Sequence, residues 1–355
     1  MFIDKIKKIT KKNNVLFTSN CTTALYLLFK SLNFKNRHIV IPGNICFDVI
    51  LSIVFSGNIP IIIDTNDQLG FDIIDLKLNL KKIKNIGAII FPYLHGNSDN
   101  FKDVLKLSKK NNLVLIEDIA GSFGGKIGNK YFGSFANFTV GSFGQGKIID
   151  MNGGGFLATK DVSIFNDIKL KYTSLEKYNH VNKVLYFEIN KIQNEIINKK
   201  KNKTIFNKKS LQQFFKAFIY NKKFNKQYFK KLNSLISQID KINTTRNKKA
   251  DYFEKIFNFR NFLPIKHKKG SVYWRKNFLV KNIDSFKVIK YLNKENIYAR
   301  KYYPPLNYIF PFLRKKLVNY ENYYKQLINF WVGEESNFKE IIQIKEIIEK
   351  KYNVN

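Results

Sequence analysis

Three groups of residues have the types and spacing to do chemistry together. Asp118 ends the apolar run Leu113-Val114-Leu115-Ile116-Glu117-Asp118, so its carboxylate is expected at the carboxyl edge of a sheet. Ser142-Phe143-Gly144-Gln145-Gly146-Lys147 follows another apolar stretch and sets a lone lysine in a glycine-lined turn. Asn20-Cys21-Thr22-Thr23 opens a helix, where backbone N–H groups and hydroxyls can hold a phosphate. A phosphate cradle, an isolated lysine and an isolated aspartate are the handles that pyridoxal 5'-phosphate requires. In that reading Asp118 pairs with the protonated pyridine nitrogen and Lys147 forms the imine. Each residue also has a plainer use: Lys147 as a solvated lysine, Asp118 as a helix cap, Thr22 as a first-turn residue. The order of Asp118, Ser142 and Lys147 favours the chemical reading.

Those residues need a scaffold, and the first 160 residues provide one. Apolar runs recur at 15–17, 38–41, 60–64, 87–91 and 113–116, separated by helix-like stretches such as Thr23–Leu32 and Phe101–Asn111. Continuous apolar strands alternating with helices predict an α/β fold with a mostly parallel central sheet covered on both faces. Ligands then sit at the carboxyl ends of the strands, where Ser19–Thr23, His95-Gly96-Asn97 and Glu117-Asp118 all fall. Residues 1–160 are expected to form this large domain. Residues 161–245 are a basic helical segment bridging the domains, and 246–355 a smaller C-terminal α+β domain. Within the segment, 161–223 is rich in Lys and Asn, peaks at Lys199-Lys200-Lys201, and is expected to be a solvated helical face. The small domain should contain a helix over Lys248–Phe257, a strand over Tyr273–Val280, helices near 285–295 and 338–351, and a proline loop at 302–306. His95 and Cys46 are expected to be structural.

The net charge of +35 points at first to a polyanion. Yet only six of the 62 basic residues are arginine: Arg37, Arg246, Arg260, Arg275, Arg300 and Arg314. Lys, Asn, Ile and Phe are enriched together while Gly, Pro and Ala are scarce, as AT-rich codons dictate. Genome composition therefore accounts for the charge, and no specific nucleic-acid partner is expected. Contact of the basic segment with an anionic membrane surface is the alternative. No run of about 18 apolar residues exists to span a bilayer, and no apolar core follows the first lysines as in a secretory signal. Two cysteines, Cys21 and Cys46, suit neither a disulfide framework nor a zinc site. A cytoplasmic location without a metal is the expectation.

Taken in order, these motifs resemble those of the DegT/StrS group of nucleotide-sugar aminotransferases, pyridoxal-phosphate enzymes of fold-type I. The similarity runs from about Val15 to the C-terminal helix. Glu117-Asp118-Ile119-Ala120 resembles the group's E-D-x-x-Q. Ser142, Phe143, Lys147, Gly154 and Gly155 resemble S-F-x-x-x-K with its following Gly-Gly, and Asn20–Leu25 resembles S-G-T-A-A-L. Ile41-Pro42, Gly57–Asp64, Tyr93–Gly96 and Tyr302–Asn307 match further motifs. The resemblance implies Lys147 as the Schiff-base lysine and proton shuttle and Asp118 as the partner of the pyridine nitrogen. Thr22, Cys21 and Ser142 would lie about the phosphate, and Asn225 would reach it across a homodimer interface. It further implies transfer of an amino group from an amino acid such as glutamate to a keto-sugar nucleotide, for surface glycans.

Several positions depart from the pattern. Gly121 replaces the glutamine and Phe123 a histidine, removing the usual contact to the ring hydroxyl; Gly153 replaces a glutamate, and Cys21 a glycine. The aromatic residue that stacks on the ring is displaced from Cys46 to Phe47. The N-terminal arm is mostly absent, and the 161–223 segment is longer than usual. Alternatives are a same-fold enzyme that dehydrates the sugar and a non-catalytic basic relative that binds a polyanion. Nucleic-acid binding is expected to be weak and lost at physiological salt. Retention of a duplex in an electrophoretic shift at that salt would instead favour the polyanion reading.

Overall fold

Strands form where the sequence places its β-branched runs, and their unbroken apolarity reflects cover on both faces. The computed structural model describes residues 1–197, 208–310 and 312–352. Its first nine strands are β1 (Asn14–Thr18), β2 (His38–Pro42), β3 (Ile59–Ile63), β4 (Ile86–Pro92), β5 (Val114–Asp118), the short hairpin β6 (Lys126–Ile127) and β7 (Lys130–Tyr131), β8 (Phe138–Ser142) and β9 (Gly155–Thr159). Seven of them make one sheet in the order β1-β9-β8-β5-β4-β2-β3. The strands from β3 across to β8 are parallel. β9 is antiparallel to both β8 and β1, so β1 runs with the parallel set. Thr18, Asp118 and Ser142 therefore end on one edge of the sheet.

Side chains alternate between two cores, as the two-residue strand period requires. Ile39, Ile41, Ala88, Ile90 and Ile116 pack on one face with the helices Cys21–Ser31 and Asp48–Phe55. Val40, Ile89, Phe91 and Leu115 pack on the other with Phe101 and Val104 of the helix Phe101–Lys110. This is the mostly parallel α/β architecture expected.

A second, antiparallel sheet has the order β10-β11-β13-β12, with β10 (Phe262–Pro264), β11 (Arg275–Val280), β12 (Ala299–Arg300) and β13 (Leu327–Trp331). Phe253, Phe278, Phe330, Ile341 and Ile344 fill the core between it and the helices Ile239–Ile256 and Phe338–Tyr352. The sequence locates β11 and the flanking helices but gave no sign of β13, the strand beside it. The helix Ile239–Ile256 runs through the 245/246 boundary. Gly96, at φ 92°, lets the large domain touch the lead-in to β11: a Cβ there would run into the Val272 carbonyl. Two backbone hydrogen bonds, Val272 N–H to Gly96 O at 3.1 Å and Trp274 N–H to His95 O at 3.1 Å, fasten this contact.

The basic segment is not merely a solvated face. It contains the helices Val162–Ser174, His180–Ile197 and Lys208–Phe218. Phe214, Ala217 and Phe218 are buried in the large-domain core, because the Phe215 and Phe218 rings meet Tyr26, Phe55 and Phe47 edge-on. The lysine run 199–201 lies outside the described residues. Among the described residues no helix is long and apolar enough to cross a membrane.

Glu117 and Asp118 show how β5 serves fold and site at once. Glu117 is fully buried on one face, where Oε1 accepts from Tyr93 Oη–H and Gly133 N–H, each at 2.7 Å. Oε2 accepts from Phe135 N–H at 2.8 Å and Ala136 N–H at 2.7 Å. Glu117→Gln turns one acceptor oxygen into a donor facing donors. A loss of about 2–4 kcal/mol in urea unfolding is expected; an unchanged midpoint would show that Glu117 does not anchor the loop 133–136.

Candidate functional site

The helix Cys21–Ser31 begins directly after β1. The Asn20 side chain accepts from Thr23 N–H at 2.7 Å and the Asn20 carbonyl from Ala24 N–H at 3.3 Å, which leaves the amides of Cys21 and Thr22 at the helix start. The basic segment supports this turn. Asn20 Nδ2 and Thr23 Oγ1 both donate to the Phe218 carbonyl at 2.9 Å, and Ser19 Oγ donates to the Tyr220 carbonyl. On the other side Gly155 approaches so closely that a Cβ would lie 2.5 Å from Cys21 N. Gly155 pairs with both Thr18 and Ser142, so the Ser142 hydroxyl lies two strands from the helix start. Ser142 Oγ accepts from Gly144 N–H at 3.1 Å, which opens the turn leading to Lys147.

Lys147 lies in that turn, its N–H donating to the Gly144 carbonyl at 3.2 Å. Burial works against its ammonium, but Tyr303, Cys46, Asp118 and Cys21 around it more than offset this and hold the amine above the ordinary lysine range. Asp118 is buried and accepts from Ala120 N–H at 2.9 Å. Burial raises its carboxyl, while the Ala120 N–H and Lys147 pull it back. Lys147, Asp118, Ser142, Thr22 and Cys21, predicted from sequence, thus share one edge of the sheet. Burial raises the thiols of Cys21 and Cys46.

The remaining expectations fare differently. Asn225 is exposed and caps the helix Lys226–Ser237, accepting from Tyr228 N–H at 2.8 Å. Tyr228 Oη–H in turn donates to the Gly153 carbonyl at 2.5 Å, which ties that helix to the glycine turn ahead of β9. Phe123 packs edge-on against Phe143 and Phe156 at 5.8 and 6.1 Å, and nothing lies within 4 Å of where a Gly121 Cβ would be. Phe47 does not supply the displaced ring. It is buried edge-on to Phe218 at the start of the helix Asp48–Phe55, while Cys46, just before it, sits beside Lys147.

Small-domain residues that sequence reasoning did not mark complete the site. Trp274 Nε1–H donates to the Gly146 carbonyl at 2.5 Å, and the Lys147 ammonium lies 5.3 Å from the Trp274 ring centre. Tyr303 stacks on Trp274 at 5.6 Å and 14°. The proline-loop resemblance at 302–306 was the available signal for Tyr303; Trp274 had none beyond its strand. His95 is buried against Trp274, and burial with nearby Arg275 depresses its imidazole to about 3.

Donors for a phosphate, a carboxylate for a ring nitrogen and a lysine between them fit pyridoxal phosphate. The profile of the DegT/DnrJ/EryC1/StrS aminotransferase family matches residues 1–349. The chain belongs to this family. The family's cofactor is pyridoxal 5'-phosphate, and the fold is fold-type I. The chain is 29% identical over 172 residues to GDP-perosamine synthase of Escherichia coli O157:H7, covering 46% of each chain. It is 28% identical over 156 residues to a Campylobacter jejuni UDP-4-amino-4,6-dideoxy-N-acetyl-beta-L-altrosamine transaminase, covering 43% of this chain and 41% of the relative. The matched stretches thus span under half of these relatives. Among solved structures, Helicobacter pylori PseC, an aminotransferase of pseudoaminic acid biosynthesis, aligns with TM-score 0.77 at 19% identity, over 99% of this chain and 90% of its own. E. coli GDP-4-keto-6-deoxy-D-mannose-3-dehydratase aligns with TM-score 0.75 at 18% identity, over 98% and 91%. Aminotransferase and dehydratase share the fold, so fold alone does not separate them.

Asp48, absent from the sequence-based site, is a second carboxylate beside Lys147. It opens the helix Asp48–Phe55, and its Oδ1 is buried without a hydrogen-bond partner. Burial pushes its carboxyl up to about 7, against the pull of Lys147 and Cys46. A carboxyl raised from its ordinary 3.8 favours the folded state while protonated; that contribution is lost as pH climbs through about 7. Asp48→Asn is therefore expected to gain on the native chain between about pH 4 and pH 8, by on the order of 2–4 kcal/mol in urea unfolding. A difference that does not change with pH would exclude a raised Asp48.

Proposed function

We propose that this chain is a pyridoxal-phosphate-dependent aminotransferase acting on a keto-sugar nucleotide. The donor is an amino acid, glutamate in the first place, and the product an aminated sugar for surface glycans made in the cytoplasm. The observation that carries this reading is the placement of Lys147 with Asp118 at the sheet edge shared by Ser142 and the start of the helix Cys21–Ser31.

The amides of Cys21 and Thr22, with the hydroxyls of Thr22 and Ser142, hold the phosphate at the helix N-terminus. The Asp118 carboxylate, held in place by the Ala120 N–H, would pair with the pyridine nitrogen and keep it protonated. Once bound, pyridoxal phosphate supplies the electron sink that lets a C–H bond beside nitrogen ionise. The Lys147 amine attaches the cofactor and, when displaced, carries the proton between the carbons of donor, cofactor and sugar. Trp274 and Tyr303 close over the Lys147 turn and exclude water. Asn225, exposed at its helix start, reaches the phosphate of a second subunit in a homodimer. Lys147 also favours transamination over sugar dehydration, because its primary amine would be able to hold the cofactor covalently and release an aminated product, as the histidine of the family's dehydratases would not.

Borohydride reduction of the holoenzyme should fix the cofactor on the peptide containing Lys147. Lys147→Ala should lower turnover by about a hundredfold to ten-thousandfold. Glutamate should convert the yellow enzyme to its amine form with release of 2-oxoglutarate, and a keto-sugar nucleotide should restore the colour with one aminated sugar per turnover. A sugar that loses water while ammonia appears, without an aminated product, would overturn the aminotransferase reading.

A further inference from the structure

Three of the chain's six arginines meet beside the site, a concentration the lysine-biased composition makes conspicuous. Arg275, the first residue of β11, is only 3% exposed. Its guanidinium carbon lies 4.9 Å from the ring centre of Trp274, 5.3 Å from Tyr298, 5.0 Å from Tyr302 and 4.7 Å from Trp331. The Arg246 guanidinium carbon lies 4.8 Å from the Trp331 ring centre, and that of Arg300 4.4 Å from the Tyr298 ring centre. Arg246 has partners: its Nε donates to the Tyr273 carbonyl at 2.9 Å and Nη2 to the Trp274 carbonyl at 2.6 Å. Arg275 does not. Its Nε and Nη1 are buried without a hydrogen-bond partner, and among the described residues no carboxylate forms an ion pair with it. Both ring nitrogens of neighbouring His95 and the Trp331 Nε1–H are likewise buried and unpartnered.

Buried donors are nearly always satisfied, and a buried guanidinium without an anion is costly. A ligand anion resolves the deficit, and position selects which. Arg275 and Lys147 both approach the Trp274 ring, so the guanidinium is separated from the reacting amine by no more than the 4.9 and 5.3 Å distances to that ring taken together. That span suits a carboxylate carried a few bonds from an amino group. One buried guanidinium balances one carboxylate but leaves a diphosphate under-compensated. Tyr298, 42% exposed, marks the side open to solvent.

We propose that Arg275, in its cage of Trp274, Tyr298, Tyr302 and Trp331, binds the side-chain carboxylate of a dicarboxylic amino donor. This rests on the aminotransferase reading, and it makes Arg275 the residue that selects glutamate over a monocarboxylic donor. The cage carries its own reporter, since Trp274 and Trp331 are the chain's two tryptophans.

The test is a tryptophan-fluorescence titration of the cofactor-free full chain with glutarate, and separately with pyrophosphate. Glutarate should give a saturable change. Arg275→Met should weaken it by about tenfold to a hundredfold, while Arg275→Lys should retain part of it. Without ligand, Arg275→Met should raise the melting temperature, because it removes an unpaired buried charge; this also shows that the variant folds. In the holoenzyme Arg275→Met should raise KM for glutamate while leaving KM for alanine little changed. No glutarate response, an equal response in Arg275→Met, or saturation by pyrophosphate alone overturns the assignment. Glutarate binding without any glutamate-driven amine form would instead leave the Arg275 site standing and remove the aminotransferase reading.

Discussion

The Glu117 carboxylate, fully buried and accepting four hydrogen bonds at 2.7–2.8 Å, fixes the geometry on which the site depends. It joins the end of β5 to Tyr93, one residue beyond β4, and to the loop 133–136 that leads into β8. Because strand residues alternate sides, fastening Glu117 on one face fixes Asp118 toward the other. β4, β5 and β8 are parallel neighbours, so holding them in register at this edge also places Ser142, and hence the turn of Lys147, relative to Asp118. A carboxylate beside a buried lysine needs such support, since either charge alone would be strongly disfavoured there.

Two other parts of the chain complete what the sheet edge begins. The basic segment delivers the Phe218 and Tyr220 carbonyls to Ser19, Asn20 and Thr23, so a stretch whose composition suggests a solvated face in fact braces the proposed phosphate cradle. The small domain enters through Gly96, whose missing side chain admits the backbone ahead of β11. That contact carries Trp274 over the Lys147 turn and Arg275 just beyond it. The proposed binding groups and the rings beside Lys147 thus come from opposite sides of this contact.

Where the chain departs from its family's pattern, the structure shows different outcomes. Phe123 joins an aromatic core with Phe143 and Phe156, so that substitution is absorbed by packing. Gly121 is not compensated, and space remains beside it. At Cys46 a small thiol lies beside Lys147, and two residues on, Asp48 brings a carboxyl to the same lysine. The site therefore carries a carboxyl and a thiol on this side, while the rings gather on the small-domain side around Arg275.

The sequence by itself determined the α/β class, the positions of β1 to β5, and the gathering of Asp118, Ser142, Lys147 and the residues 20–23. Short unbroken apolar runs alternating with helical stretches suit a sheet covered on both faces, and parallel strands expose their following loops on one edge. Only the tertiary structure decided the rest. The burial of Phe214 and Phe218 could not be read from a lysine-rich stretch, because periodicity reports that a face is apolar and not what covers it. Phe47 and Cys46 are adjacent in sequence, and which of them meets Lys147 depends on how the helix Asp48–Phe55 is rotated against its neighbours. Asp48, Trp274 and Arg275 carry no local signature at all. Their significance lies in burial and in the groups they meet or fail to meet, and those exist only after segments about a hundred residues or more apart have packed together.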